Sequence, residues 1–181
     1  MYNGQLSQYI FNQLMNGRVI NRHKLSNSGQ FVNDENYDEI VFNLADYRRQ
    51  YEMCGYELVC CSDYLYIREK TADSSDLKTD LAMKACLLLL IITKYINEQN
   101  YSFTKLTESN GGITHADIEI MQEMPDVQEL IEKAKLNTNL HTEIKNVLVN
   151  RHIMLVKPSS STYILSNAGR AFLDMLIKNF N

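Results

Sequence analysis

Residues able to do chemistry are thinly scattered along this chain. The four cysteines, Cys54, Cys60, Cys61 and Cys86, form no CxxC pair. The four histidines, His23, His115, His141 and His152, stand apart, none at ligand spacing beside a cysteine. Closed zinc sites bring their ligands in closely spaced pairs, so a structural metal is not expected. Cys60 and Cys61 are neighbours on a predicted strand and face opposite sides. Nothing basic lies near enough in sequence to activate either thiol. Unpaired thiols suit a reducing compartment.

Gly111-Gly112 is the only glycine pair, and no P-loop lysine follows it; it reads as a loop rather than a phosphate cradle. Asp34-Glu35 and Asp38-Glu39 have the right types for acid–base work. A solvated helix start, where negative charge suits the dipole, explains them better. No serine sits in a nucleophile elbow. The chain is therefore expected not to be an enzyme, with no catalytic residue, metal or cofactor.

Binding chemistry remains. Lys145, Arg151 and Lys157, with His152 between them and Lys133 and Lys135 before them, fall on a predicted helix and hairpin. Lys145, Arg151 and Lys157 are candidate DNA contacts of the phosphate kind; ordinary solvated cations are the alternative. Tyr64 and Tyr66 lie two apart on a strand, and Tyr47 and Tyr51 share one side of a helix. Rigid amphipathic aromatics favour protein interfaces. These four tyrosines are candidate partner contacts, or they close the edge of their own core.

The elements that position these residues follow from periodicity. Leu6, Ile10 and Leu14 mark a helix over 5–16, ended by Asn16-Gly17. Arg18–Ile20 suits a short strand, and 21–33 is polar and turn-like. A helix over 34–54 carries Tyr37, Ile40, Val41, Leu44 and Tyr51 as its apolar stripe. Gly55 ends it, and strands follow at 57–62 and 64–69. Thr71–Ser75 is small, polar and acidic, and reads as a domain boundary. A long helix over 77–99 is apolar nearly all round and centres the second half.

Thr114 caps a further helix, with Asp117 as the capping acid. Pro125 interrupts it, another helix covers 126–135, and 140–150 is helical. Strands at 152–157 and 162–165 pair around Pro158-Ser-Ser-Ser161, and Ser166 caps the last helix. Helix followed at once by a tight hairpin occurs twice. The fold class is α+β, mainly α: two tandem winged-helix domains, 1–71 and 76–181. The first presents an acidic helix where a DNA reader needs a basic one.

The chain has 181 residues and a net charge of −4. That balance disfavours a general nucleic-acid binder with a wholly basic surface, without bearing on a local patch. The most apolar run, 85–93, falls far short of the roughly 20 residues a spanning helix needs. The N-terminus lacks a basic-then-apolar signal pattern. A cytoplasmic protein is expected, with no membrane partner.

The run Phe11-Asn-Gln-Leu-Met-Asn-Gly-Arg-Val-Ile20 resembles the opening of the MukE and MksE families. So do Asp38-Glu-Ile40, Tyr47-Arg-Arg-Gln-Tyr51, Tyr56-Glu-Leu-Val59 and Tyr64-Leu-Tyr-Ile-Arg68, in that order, and the stretch from Ile144 to Leu165. The resemblance implies a pair of winged helices in the small accessory subunit of a bacterial condensin-like complex. That subunit forms a homodimer and binds a kleisin of the MukF or MksF type. The kleisin bridges to an SMC-like ATPase of the MukB or MksB type.

By the same resemblance the complex is nucleoid-associated and organises and segregates chromosomes, and a related version restricts plasmids. DNA is held without sequence readout, which makes Lys145, Arg151 and Lys157 contacts by implication. The competing expectation is a winged-helix transcription regulator. It draws on Leu165-Ser-Asn-Ala-Gly-Arg170, similar to the turn that follows the wing in many repressors.

Overall fold

The computed structural model describes residues 4–70 and 76–180. The boundary expected at Thr71–Ser75 lies outside the described residues. The fold is α+β with helix dominant, and its buried apolar residues form two clusters. One cluster gathers residues before that boundary, the other residues after it.

The first cluster begins with α1, Gly4–Met15. Its i, i+4 spacing buries Ile10 and Leu14. Gly17, at φ +71°, ends it. β1 is Ile20–Asn21. The polar stretch after it is a β-hairpin rather than a turn: β2, His23–Leu25, pairs with β3, Phe31–Asn33. Its tip closes through the Gly29 N–H donating to the Ser26 carbonyl, 2.8 Å.

The helix expected over 34–54 is two helices, α2 at Glu35–Phe42 and α3 at Leu44–Met53. The break is at Asn43. Its N–H and Nδ2 both donate to the Glu39 carbonyl, each at 3.1 Å. Asparagine competes for helix carbonyls in this way, and a helix turns or ends there. The turn swings α3 inward, and Tyr47 and Tyr51 become 0% exposed. β4, Tyr56–Cys60, and β5, Tyr64–Glu69, complete a three-stranded sheet in the order β1–β5–β4.

The second cluster surrounds α4, Asp76–Glu98, which buries Leu88, Leu89, Ile92 and Ile96. A short α5, Thr104–Thr107, precedes the glycine pair. α6, His115–Glu123, carries the expected capping box of Thr114 and Asp117. Pro125 opens α7, Pro125–Lys133, as a first-turn proline rather than only interrupting α6.

α8, Leu140–Ile144, runs into a π-helical turn, Lys145–Val149. β6, Met154–Val156, pairs with β7, Tyr163–Leu165. Ile113 bridges to Tyr163 as a one-residue third strand. α9, Asn167–Phe180, follows Ser166, whose Oγ accepts from the Gly169 N–H at 3.0 Å.

The two clusters meet along β1 and the chain just before β6. The Val19 N–H donates to the Arg151 carbonyl at 3.0 Å. Asn21 Nδ2 donates to the His152 carbonyl at 3.0 Å, and the His23 N–H donates to Asn167 Oδ1 at 3.1 Å. Arg170 lies 5.0 Å from the centre of the Phe31 ring.

Candidate functional site

The helix leading into the β6–β7 hairpin is shaped by its ends. Asn139 caps α8, its Oδ1 accepting from the Thr142 N–H at 2.8 Å. The π-helical turn closes with the Asn150 N–H on the Lys145 carbonyl at 2.8 Å. His152 then adopts φ +60°. The Ile153 N–H reaches back to the Leu148 carbonyl and the His152 N–H to the Val149 carbonyl, both at 2.9 Å. This is a Schellman ending with histidine at its left-handed position, where glycine is usual.

That geometry scatters the three candidate DNA contacts. Lys145 is exposed and forms no ion pair with a described residue. Arg151 turns toward the first half, its Nη1 donating to the Gly17 carbonyl at 3.3 Å, and burial lowers its pKa. Lys157 is only 7% exposed, and its Nζ donates to the Gly111 carbonyl. The expected patch is corrected accordingly. Lys157 is a structural cation and Arg151 a junction residue, because each satisfies a backbone carbonyl distant in sequence.

Lys145 has different company. His141, one turn earlier, places Nε2 2.6 Å from the Tyr163 hydroxyl. Its ring meets that of His115 edge-on, centroids 4.5 Å apart. His115 is exposed at the start of α6, and its Nε2 lies 3.5 Å from a Glu119 carboxylate oxygen. Burial, then the nearby His115 and Lys145, lower the His141 pKa. Burial raises that of Tyr163. His115 and His141 are distant in sequence, so spacing alone did not pair them. The signal available was that each follows a helix cap, Thr114 or Asn139.

The tyrosines divide as well. Tyr47 and Tyr51 are core residues, with Tyr51 stacked on Phe11 at 6.0 Å between centroids. They are withdrawn as surface contacts, since α3 carries them against the sheet. Tyr64 and Tyr66 are half-buried on β5 and stack on each other at 6.3 Å. Hydrogen bonding with Cys61, then burial, pushes the Tyr64 pKa up to about 12. In the same half, Phe42 is 86% exposed at the end of α2 and Met53 79% exposed at the end of α3.

A cleft of about 570 Å3 lies where the halves meet, its walls including Arg18, Lys24, Asp34, Glu35, His152 and Leu155. Its charged groups are mixed in sign, and Lys24 pairs with Glu35. Among the described residues no group of three or more His, Cys, Asp or Glu is placed to hold a metal. No described helix is long and apolar enough to cross a membrane.

A comparison with curated proteins finds no match. A family model described as condensin complex protein MksE matches residues 5–177, nearly the whole chain. The chain belongs to the MksE family of condensin complex proteins.

Proposed function

We propose that this condensin-complex subunit works by binding alone. In this reading it dimerises, binds the kleisin, reaches the SMC-like ATPase through it, and supports chromosome organisation and segregation in the cytoplasm at the nucleoid. ATP hydrolysis belongs to the partner. The observation that carries the reading is the family match over residues 5–177.

We read each half as a winged helix, divided at 1–71 and 76–181. The first has the order helix, strand, the β2–β3 hairpin, helix, helix, hairpin, with the short strand β1 paired to β5 at Ile20 and Leu65. The second repeats this order apart from β2–β3, with the Ile113–Tyr163 bridge in the strand's place and α7 added between its helices. Phe42, Met53, Tyr64 and Tyr66 supply apolar surface on the first half for protein partners. DNA is assigned to the second half, along α8 and the wing, with Lys145 as its exposed cation. The contact is to phosphate, without base readout.

Co-purification from the native host, tagged on this chain, tests the reading. A kleisin and a large coiled-coil ATPase recovered in stable ratio are expected. Recovery alone, as a dimer that prefers one DNA sequence over competitors at moderate salt, would replace it with a transcription regulator.

A further inference from the structure

We propose that His115, His141 and Lys145, with His141 braced by the buried Tyr163 hydroxyl, form a proton-linked contact for the phosphodiester backbone of duplex DNA. This rests on the reading above that α8 and the wing face DNA; it adds which groups touch the backbone and how pH governs them.

Three nitrogen bases converge from three elements. His115 comes from the first turn of α6, His141 from the first turn of α8, and Lys145 from the π-helical turn that follows. Tyr163 comes from the wing strand β7 and ties the helix to the hairpin through His141. These are the two parts that a winged helix lays along a duplex. The same helices carry the carboxylates of Glu119, whose oxygen is 3.5 Å from His115 Nε2, and of the buried Glu143, which pairs with Lys84 at 4.0 Å.

The Tyr163–His141 bond survives either charge state. The hydroxyl donates to Nε2 of a neutral imidazole and accepts from Nε2–H of an imidazolium. Tyr163 keeps its own proton throughout, since burial raises its pKa. Protonating His141 therefore breaks nothing and adds a positive charge between His115 and Lys145. In the free protein those two neighbours and burial oppose that charge. A phosphate among the three groups reverses the balance, because an opposite charge within a few ångströms favours the charged form. Binding then takes up a proton, and affinity rises as pH falls.

The test is fluorescence anisotropy of the full chain with a labelled duplex of arbitrary sequence. It runs from pH 8.0 to 5.5 at fixed ionic strength, with far-UV circular dichroism confirming the fold at each pH. The expected result is affinity rising about tenfold on acidification, the change that one pKa unit gained on binding produces. His141→Gln should flatten the profile, and Tyr163→Phe should shift it.

Histidine-resolved NMR supplies a second readout: the His141 ring should move to its protonated shifts on adding duplex at constant pH. A wild-type profile that is flat, or one that His141→Gln leaves as steep, overturns this proposal while leaving DNA binding intact. No duplex binding at any pH overturns both it and the reading it rests on. A His141 response to polyglutamate but not to duplex overturns it in favour of an acidic protein segment.

Discussion

Asn21 fastens itself to the His152 carbonyl, its Nδ2 donating across the junction between the two halves at 3.0 Å. The same side chain accepts the Ala168 N–H at 2.9 Å through Oδ1. One residue thus satisfies two backbone groups of the second half from β1 of the first. Asn21 is 4% exposed, so water does not substitute when the amide is lost. Asn21→Leu is expected to cost about 2–4 kcal/mol, two unsatisfied buried groups at about 1–3 kcal/mol each less overlap. Urea denaturation of the full chain measures it. A loss under about 0.5 kcal/mol, the range of an ordinary surface substitution, would show the junction is not held here.

The imidazole of that same His152 makes the junction sensitive to acid. Burial, then the Arg18 charge, lowers its pKa, while the Val19 carbonyl, 3.2 Å from Nδ1, and Asp34 pull the other way. The folded state thus disfavours the charged ring, and the unfolded chain binds the proton more readily. Stability is full above the ordinary histidine value near 6.5 and is lost as pH falls from there toward the folded value. His152→Asn keeps a residue that tolerates the left-handed position while removing the titration. Melting temperatures at pH 7.5 and 5.5 should fall less in the variant than in the wild type. Equal falls would place the acid sensitivity elsewhere, with His141 the next candidate.

How much of this was legible beforehand depended on range. The Ile10 and Leu14 stripe and the Thr114–Asp117 capping box are local patterns, and both elements formed where periodicity and capping place them. The break at Asn43 is also local, but it rests on a side-chain bond to the Glu39 carbonyl that apolar periodicity does not register. The β2–β3 hairpin escaped because its strands are only three residues long, too short for an alternating pattern to register. Lys157 read as a free cation because its partner, the Gly111 carbonyl, is far away in sequence. Tyr47 and Tyr51 kept two readings until the turn at Asn43 fixed which way α3 faces.

Asp117 does more than cap α6. Its carboxylate accepts from the Tyr95 hydroxyl at 2.5 Å, Lys105 Nζ at 3.2 Å and the Thr114 N–H at 2.7 Å. Burial alone would raise its pKa, but these bonds together outweigh burial and lower it. Its stabilising contribution is therefore present above the ordinary aspartate value of 3.8 and disappears as pH falls through the folded value. Asp117→Ala strands a buried tyrosine hydroxyl and a half-buried ammonium, and should cost about 3–5 kcal/mol. Thr114→Ala removes only the cap, about 1 kcal/mol. Denaturation midpoints of the two variants should differ accordingly. Equal midpoints would reduce Asp117 to an ordinary cap.

The glycine pair is a packing device. A Cβ on Gly112, at φ +132°, would stand 2.8 Å from Thr162 Cβ, and one on Gly111 would stand 2.4 Å from the Lys105 carbonyl oxygen. Gly112→Ala combines backbone strain of about 1–3 kcal/mol with that clash. It should lower the melting temperature by several degrees, since about 1 kcal/mol moves a chain of this length, unfolding as one unit, by roughly 2–4 °C. An unchanged melting temperature would mean the loop relaxes freely away from the wing.

Lys145 and Lys157 provide the sharpest separation of binding from folding, because they share a charge and differ in what holds them. Lys145 is exposed with no ion pair to a described residue, so Lys145→Ala should leave the unfolding midpoint within error. If its ammonium meets a backbone phosphate, the same change lowers the slope of log affinity against log salt by about 1. Lys157 commits its ammonium to the Gly111 carbonyl. Lys157→Ala should cost about 1.5–3 kcal/mol, the worth of a hydrogen bond to a charged group. Measured well below its melting temperature, its salt slope should match the wild type. Salt titration of duplex binding beside urea denaturation reads both quantities on both variants. The reverse pattern, with the slope change at Lys157 and the stability loss at Lys145, would move the DNA surface from α8 to the wing tip.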